Sequence, residues 1–249
     1  DGTPRENPGF DVIIGNPPYG GGLETRERNY LYRTYDIGTT DTAALFITRS
    51  LETMKQDGVN SYIVPKSLMY SSTWEKTREI LLPGLSYIVD CGKVWKDVNL
   101  EQIIYQYNST DNTGYHSLTL DIESEAYTQV SIIEKRVSEK FGFFVSGLQS
   151  SEIELGIRIS EVGAFFGDYT MNVRGSGLQK QSQENLTDGI RLIGGKQVQS
   201  FTLDGSYGYL SKNQAIPDNA RVKEGNLLVQ NIIAHIKNPV DHIKITGLA

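Results

Sequence analysis

Between Asp11 and Cys91 short apolar runs alternate with segments of helical period, and this alternation restricts the first half of the chain to an open α/β sheet. Asp11–Ile14 reads as a short strand. "DTAALFITRSLETMKQDG" reads as a helix, because Ala43, Ala44, Ile47, Leu51 and Met54 fall on one face at helical spacing. Asp41 or Thr42 can cap its start, and Gly58 fits its end. "VNSYIVP" follows as a strand. "SSTWEKTREILL" reads as a second helix, opened by the capping-box pattern Ser72-x-x-Glu75, and "LSYIVDC" as a third strand. "EQIIYQYNS" and "SLTLDIES", separated by "DNTG", predict a hairpin. The whole order predicts a mainly parallel sheet with an antiparallel hairpin edge. From about Ser151 glycine becomes frequent and strands short, as in "GIRLIGGKQVQSF" and "YGYLSKN". The expected organisation is an α/β domain over residues 1–140 and a β-rich domain over residues 141–249.

No apolar run approaches the roughly 20 residues that cross a bilayer, so no membrane contact is expected. Cys91 is the only cysteine, which excludes an internal disulfide and fits the reducing cytoplasm. It ends an apolar run and reads as a small core residue. His116, His235 and His242 have no Cys or carboxylate at metal-ligand spacing, and no metal is expected. Residues 1–140 carry the whole net charge of −6, and residues 141–249 balance to zero. Neither half is basic, which counts against a broad nucleic-acid face but allows a local one.

The first strand stops abruptly in "NPPY", residues Asn16, Pro17, Pro18 and Tyr19. In an open parallel sheet this is where ligands bind, at the carboxyl ends of the strands. Pro17 and Pro18 have no N–H and a fixed φ, so they hold a turn whose carbonyls meet no competing donors. Asn16 adds a side-chain carbonyl with two lone pairs, and Tyr19 a flat face for stacking. Two acceptors beside an aromatic plate suit an amino group on a planar ring. Such an amino nitrogen is a weak nucleophile because its lone pair is delocalised. Accepting both its hydrogens, on Asn16 and on the Pro17 carbonyl, favours the pyramidal form and frees the lone pair to attack a methyl group. Asn-Pro-Pro is also an ordinary way to end a strand and begin a loop.

The wider context resembles one family. "FDVIIGNPPYGGGL" is similar to the catalytic motif of S-adenosylmethionine-dependent amino-methyltransferases. Residues 41–82 resemble the two helices and intervening strand that follow that motif in adenine-N6 DNA methyltransferases of restriction-modification systems. "GKVWKDVNLEQIIYQY" resembles the later motif in which an aromatic residue packs against the flipped base. Trp95 holds that position, where phenylalanine is commoner. "RLIGGKQVQSF" and "NLLVQNIIAHI" resemble pieces of a TaqI-like specificity domain, with Gly195, Lys196 and Gln197 where family members often have Gly-Lys-Asp. The resemblance implies a partial Rossmann-like methyltransferase sheet followed by a target-recognition domain, with double-stranded DNA as partner and S-adenosylmethionine as cofactor. It also implies that the Gly-rich cofactor-binding turn belongs before the catalytic motif. No such turn precedes Asp11, so the chain reads as an inactive fragment of a larger enzyme, of the type IIG kind that joins restriction to modification.

In that setting Tyr30, Tyr32 and Tyr35 lie in a loop near the DNA, where they stack on it or simply pack. Lys66, after "SYIVP", is a phosphate contact or a solvated lysine. Arg174, Lys180, Arg191 and Lys196 are phosphate or guanine contacts, or surface charges. Two other readings stand beside the first: an NPPY-type methyltransferase acting on RNA or protein glutamine, and a non-catalytic DNA-binding module.

Overall fold

The computed structural model describes residues 8–20, 23–35, 37, 41–95, 100–110, 113–173, 175, 177–230, 234–236, 242–244 and 247–248. The chain divides into two compact units, Asp1–Gly163 and Ala164–Ala249.

The first unit is built on a six-stranded sheet: β1 (Phe10–Gly15), β2 (Met54–Pro65), β3 (Leu85–Gly92), β4 (Gln102–Asn108), β5 (Gly114–Asp121) and β6 (Ala126–Glu134). Its spatial order is β1-β2-β4-β3-β5-β6. β1 pairs parallel to β2, and β3 parallel to β5. β4 runs antiparallel between β2 and β3, and β6 antiparallel to β5. Four of the six strands therefore share one direction, with a hairpin at the far edge as expected. That hairpin is β5–β6. The expected pairing of "EQIIYQYNS" with "SLTLDIES" does not form, because β3 lies between those two strands. Sequence neighbours here are not sheet neighbours.

Burial separates the two faces of the sheet. One row across it runs Tyr62, Tyr105, Ile88, Ser117 and Ser131, and every member is buried. The next row runs Ile14, Ser61, Gln106, Tyr87, His116 and Ile132, with Ile14 76% and Ile132 56% exposed. The covered face packs with α2 (Thr42–Thr53) and α3 (Glu75–Leu81), and with α4 (Lys135–Phe141) and α5 (Ser150–Ser160). Ala43, Ala44 and Ile47 of α2 are fully buried. β1 is an edge strand, and its exposed Phe10, Val12 and Ile14 alternate with the core-facing Ile13.

Several local expectations are corrected. α2 ends at Thr53, and Met54 already opens β2. Gly58 is a strand residue, placed where a Cβ would lie 2.9 Å from the Phe10 carbonyl oxygen of β1. The Ser72–Glu75 box does not form. A 3₁₀ turn, Ser72–Trp74, buries the Trp74 indole, and α3 starts only at Glu75. The loop after Gly20 contains a helix, α1 (Thr25–Thr34), held by a Glu24–Glu27 capping box. The first unit also runs past Lys140. Val137, Phe144, Val145 and Ile153 join its core, and the buried Tyr115 hydroxyl bonds the Ser138 hydroxyl and donates to the Val145 carbonyl, each at 2.7 Å. The Arg78 guanidinium, likewise buried, donates to the carbonyls of Leu68, Ser71 and Gly142. Burial lowers its pKa.

The second unit holds short antiparallel ribbons. β7 (Ile190–Leu192) pairs with β10 (Gly208–Leu210), and β8 (Val198–Gln199) with β9 (Thr202–Leu203). Leu178, Val198 and Leu210 are buried in it.

A buried polar chain links three strands of the sheet. The Tyr105 hydroxyl of β4 donates to Asn60 Oδ1 of β2, and Asn60 Nδ2 donates to the Ile13 carbonyl of β1 at 3.4 Å. Asn60→Leu strands the Tyr105 hydroxyl and Tyr105→Phe strands Asn60 Oδ1, so each is expected to cost about 1–3 kcal/mol. Urea unfolding with an unchanged m-value checks both.

Candidate active site at the carboxyl ends of the strands

Because β1, β2 and β3 share a direction, their carboxyl ends meet at one edge of the sheet. β1 ends at Gly15. A Cβ there would lie 3.2 Å from the Tyr62 ring, so glycine lets that core ring pack against the strand end. Asn16 is exposed, Pro17 buried, Pro18 exposed and Tyr19 half-buried against the core. Burial raises the Tyr19 pKa, so its hydroxyl stays neutral.

The start of α2 latches this turn. Thr42 Oγ1 donates to the Pro18 carbonyl at 2.5 Å. The Asp41 carboxylate caps α2 by accepting the Ala43 N–H at 2.9 Å, and also accepts the Gly20 N–H. Sequence reasoning found Asp41 and Thr42 only as alternative caps. Asp41 is the cap, and Thr42 spends its hydroxyl on the motif. The latch occupies the Pro18 carbonyl. Among the described residues, the Asn16 side chain and the Pro17 carbonyl have no hydrogen-bond partner. Among the described residues, nothing occupies these two acceptors in the turn that runs into Tyr19.

At the end of β2, Lys66 is an anchored residue rather than an open phosphate contact. Its Nζ lies 2.8 Å from both Asp90 Oδ2 and Glu101 Oε2. Burial pushes its pKa down, but the hydrogen bonds and charges of the two carboxylates outweigh that and hold it above the ordinary lysine range. Trp95 is half-buried, three residues beyond the end of β3. β1, β2 and β3 thus bring Asn16, Tyr19, Lys66 and Trp95 to the same edge.

The remaining residues lie elsewhere. Tyr30 is 67% exposed on α1, Tyr32 is also exposed, and Tyr35 packs against the core. Lys180, Arg191 and Lys196 are exposed on the second unit, and the Arg191 guanidinium donates to the Gly205 carbonyl. Gln197 stands where an Asp is common, and its side chain accepts the Gly194 N–H at 3.0 Å. Arg174 lies outside the described residues.

Residues 3–94 match the family model of the Eco57I restriction-modification methylases. RM.MjaORFECS2P of Methanocaldococcus jannaschii, whose name pairs a type II restriction enzyme with a methyltransferase, is 42% identical over 59 residues. That match covers 24% of this chain and 5% of the relative. The type II methyltransferase M.VspI of a Vibrio species is 24% identical over 151 residues, covering 58% of this chain and 36% of the relative. The adenine-specific methyltransferase BrxX of Escherichia coli is 26% identical over 81 residues, covering 32% and 7%. The chain thus spans at most about a third of the length of these relatives. The matched segment contains the NPPY turn.

The latch yields a pH-dependent expectation. Burial raises the Asp41 pKa even though two backbone N–H groups pull it down. A carboxyl whose folded pKa exceeds its unfolded value of about 3.9 costs stability when ionised. That cost disappears as pH falls through the folded value. Asp41→Asn keeps an oxygen for the N–H groups and removes the charge. It is expected to equal or exceed wild type in stability at pH 7, with the difference vanishing near pH 3. Asp41→Ala is expected to lose about 1 kcal/mol at pH 7. Thermal melts across pH check all three proteins.

Proposed function

We propose that this chain, similar over residues 3–94 to the Eco57I restriction-modification methylases, is the catalytic-motif and target-recognition portion of an adenine-N6 DNA methyltransferase. The observation that supports the reading is the pair of acceptors, Asn16 and the Pro17 carbonyl, which no described residue occupies, in the turn that runs into Tyr19 at the carboxyl end of β1. An exocyclic amino group placed there donates one hydrogen to each acceptor. Both bonds strengthen as the nitrogen pyramidalises and takes on positive charge, so they favour the transition state over the ground state. Tyr19 stacks on the ring and, with Trp95, offsets part of the few kcal/mol needed to draw an adenine out of the duplex. S-adenosylmethionine supplies the electrophilic methyl group when bound. Both acceptors stay hydrogen-bonded to the amino group through the transfer, and the methylated, positively charged nitrogen then loses one proton to solvent.

The methyl donor fits poorly to the part of the site seen here. The cleft beside β1 has a volume of about 370 Å³ and is lined by Phe10, Val12, Ile14, Phe46, Arg49 and Tyr62 among others. Among the described residues no carboxylate lines it to meet ribose hydroxyls or a sulfonium. We therefore place the main donor contacts on polypeptide that precedes β1 in the parent protein. Among the described residues no strand pairs with the outer edge of β1, and this edge and its exposed apolar side chains support that placement, since a buried parallel strand requires neighbours on both sides. Without that polypeptide the chain is inactive. The parent, read as a cytoplasmic enzyme, joins modification to restriction in the type IIG manner, and the name of the Methanocaldococcus relative, which pairs a type II restriction enzyme with a methyltransferase, supports the joining. Target recognition falls to the second unit, Ala164–Ala249, where Arg174, Lys180, Arg191 and Lys196 offer cations to the duplex, with Tyr30 on α1 as a further DNA contact.

The test is transfer of a labelled methyl group to duplex DNA by this chain, by the chain extended upstream, and by the extended Asn16→Ala variant. Label on adenine N6 from the extended wild type alone is the expected result, with Asn16→Ala reduced by about 10²–10³. Transfer to RNA or to protein glutamine would replace the substrate. Salt-sensitive DNA binding without transfer to anything would leave a binding module.

A further inference from the structure

Gln102 is the first residue of β4 and is fully buried. It pairs with Pro65 of β2 on one side and Gly92 of β3 on the other, which puts it in the middle of the carboxyl-end edge. A buried amide must spend its hydrogen bonds inside the protein. Gln102 spends them on the loop that leaves β3 and returns to β4. Its Oε1 accepts the Val94 N–H at 3.1 Å, and its Nε2 donates to the Leu100 carbonyl at 2.5 Å. One side chain thus grips both shoulders of the loop, and Trp95 follows directly on one of the gripped residues.

A second set of bonds closes the same loop from β2. The Lys66 N–H donates to the Glu101 carbonyl at 2.9 Å, while its ammonium bridges Asp90 and Glu101. Asp90 in turn accepts the Gly92 N–H at 3.0 Å, fixing the turn out of β3. Gly92 adopts φ +58°, a left-handed conformation that glycine takes without steric cost. The loop is therefore clamped at Gly92, Val94, Leu100 and Glu101. None of these bonds is needed to pair the strands, which are already joined by their own ladders.

We infer that Gln102 and Lys66 are positioning residues that form a clasp holding Trp95 in place before the target base arrives. As a base-packing claim this rests on the methyltransferase reading above. As a claim about Trp95 it stands alone. An aromatic plate ordered in advance loses less freedom when a base stacks on it, and small misplacements at a reacting centre are costly in rate. The clasp also explains why a lysine at the carboxyl edge is paired with two carboxylates rather than turned outward to phosphate.

The experiment uses a Trp74→Phe background, in which Trp95 is the sole tryptophan of this chain. Gln102→Leu removes both bonds. Gln102→Glu keeps the acceptor for Val94 and loses the donor to Leu100, and Lys66→Met removes the charged half of the clasp. Circular dichroism establishes that each variant is folded. Acrylamide quenching of Trp95 is expected to rise about twofold in Gln102→Leu, and less in Gln102→Glu and Lys66→Met, with a matching fall in anisotropy. In the upstream-extended enzyme the same substitutions are expected to lower kcat about tenfold or more, with KM for the methyl donor unchanged. If Gln102→Leu does not fold, the other two variants carry the comparison. Unchanged quenching and anisotropy in the folded variants overturn the clasp. Raised quenching with unchanged kcat overturns its role in positioning. An extended wild-type enzyme that transfers no methyl group strikes the functional reading, and the fluorescence then decides the clasp by itself.

Discussion

The shared direction of β1, β2 and β3 is the constraint on which the site depends. Three strands that run the same way deliver three carboxyl ends to one edge, and each end contributes a different chemical part. β1 delivers the acceptors of the NPPY turn, β2 delivers Lys66, and β3 leads into the segment carrying Trp95. The intervening strand, β4, runs the other way, so its amino end arrives at the same edge with Gln102. Reversing any one of them would carry its part to the far side of the sheet. The core enforces the arrangement, because the buried row Tyr62, Tyr105 and Ile88 crosses β2, β4 and β3 at a single register. A slip of one residue would exchange that row with the exposed one.

Much of this was legible in the sequence, for reasons that differ by element. The strands β1 and β3 are short apolar runs, and the NPPY turn announces itself because two prolines cannot continue a ladder. The buried face of α2 follows from helical spacing. What escaped the sequence depends on distant partners. β2 begins four residues before Gly58 because the backbone of β1 lies beside it, and no local pattern signals that approach. The partners of Lys66 are 24 and 35 positions away, so its neutralisation could not be seen from "VPKS". The β4–β5 hairpin looked sound because turn residues separate two apolar runs, yet β3 takes the place between them. The unit boundary moved for a similar reason. Tyr115 reaches Val145, which binds the helical stretch after β6 to the sheet.

Some features of the site were legible only as types. Asp41 and Thr42 both have the chemistry of a helix cap, and spacing alone could not divide the labour between them. The structure gives the capping to Asp41 and frees Thr42 to hold Pro18. Gln102 gave no signal at all. A glutamine within an apolar strand resembles a surface residue until its burial is known.

The two prolines have a consequence for watching this protein move. Pro17 and Pro18 carry no amide hydrogen, so the centre of the turn is silent in hydrogen-exchange measurements. Its opening must be read from neighbours that share its fate. Asp41 provides two of them, the amides of Gly20 and Ala43, which it holds on either side of the Thr42 latch. Protection at those two positions is a clock for the lifetime of the closed turn, kept by residues outside the motif itself.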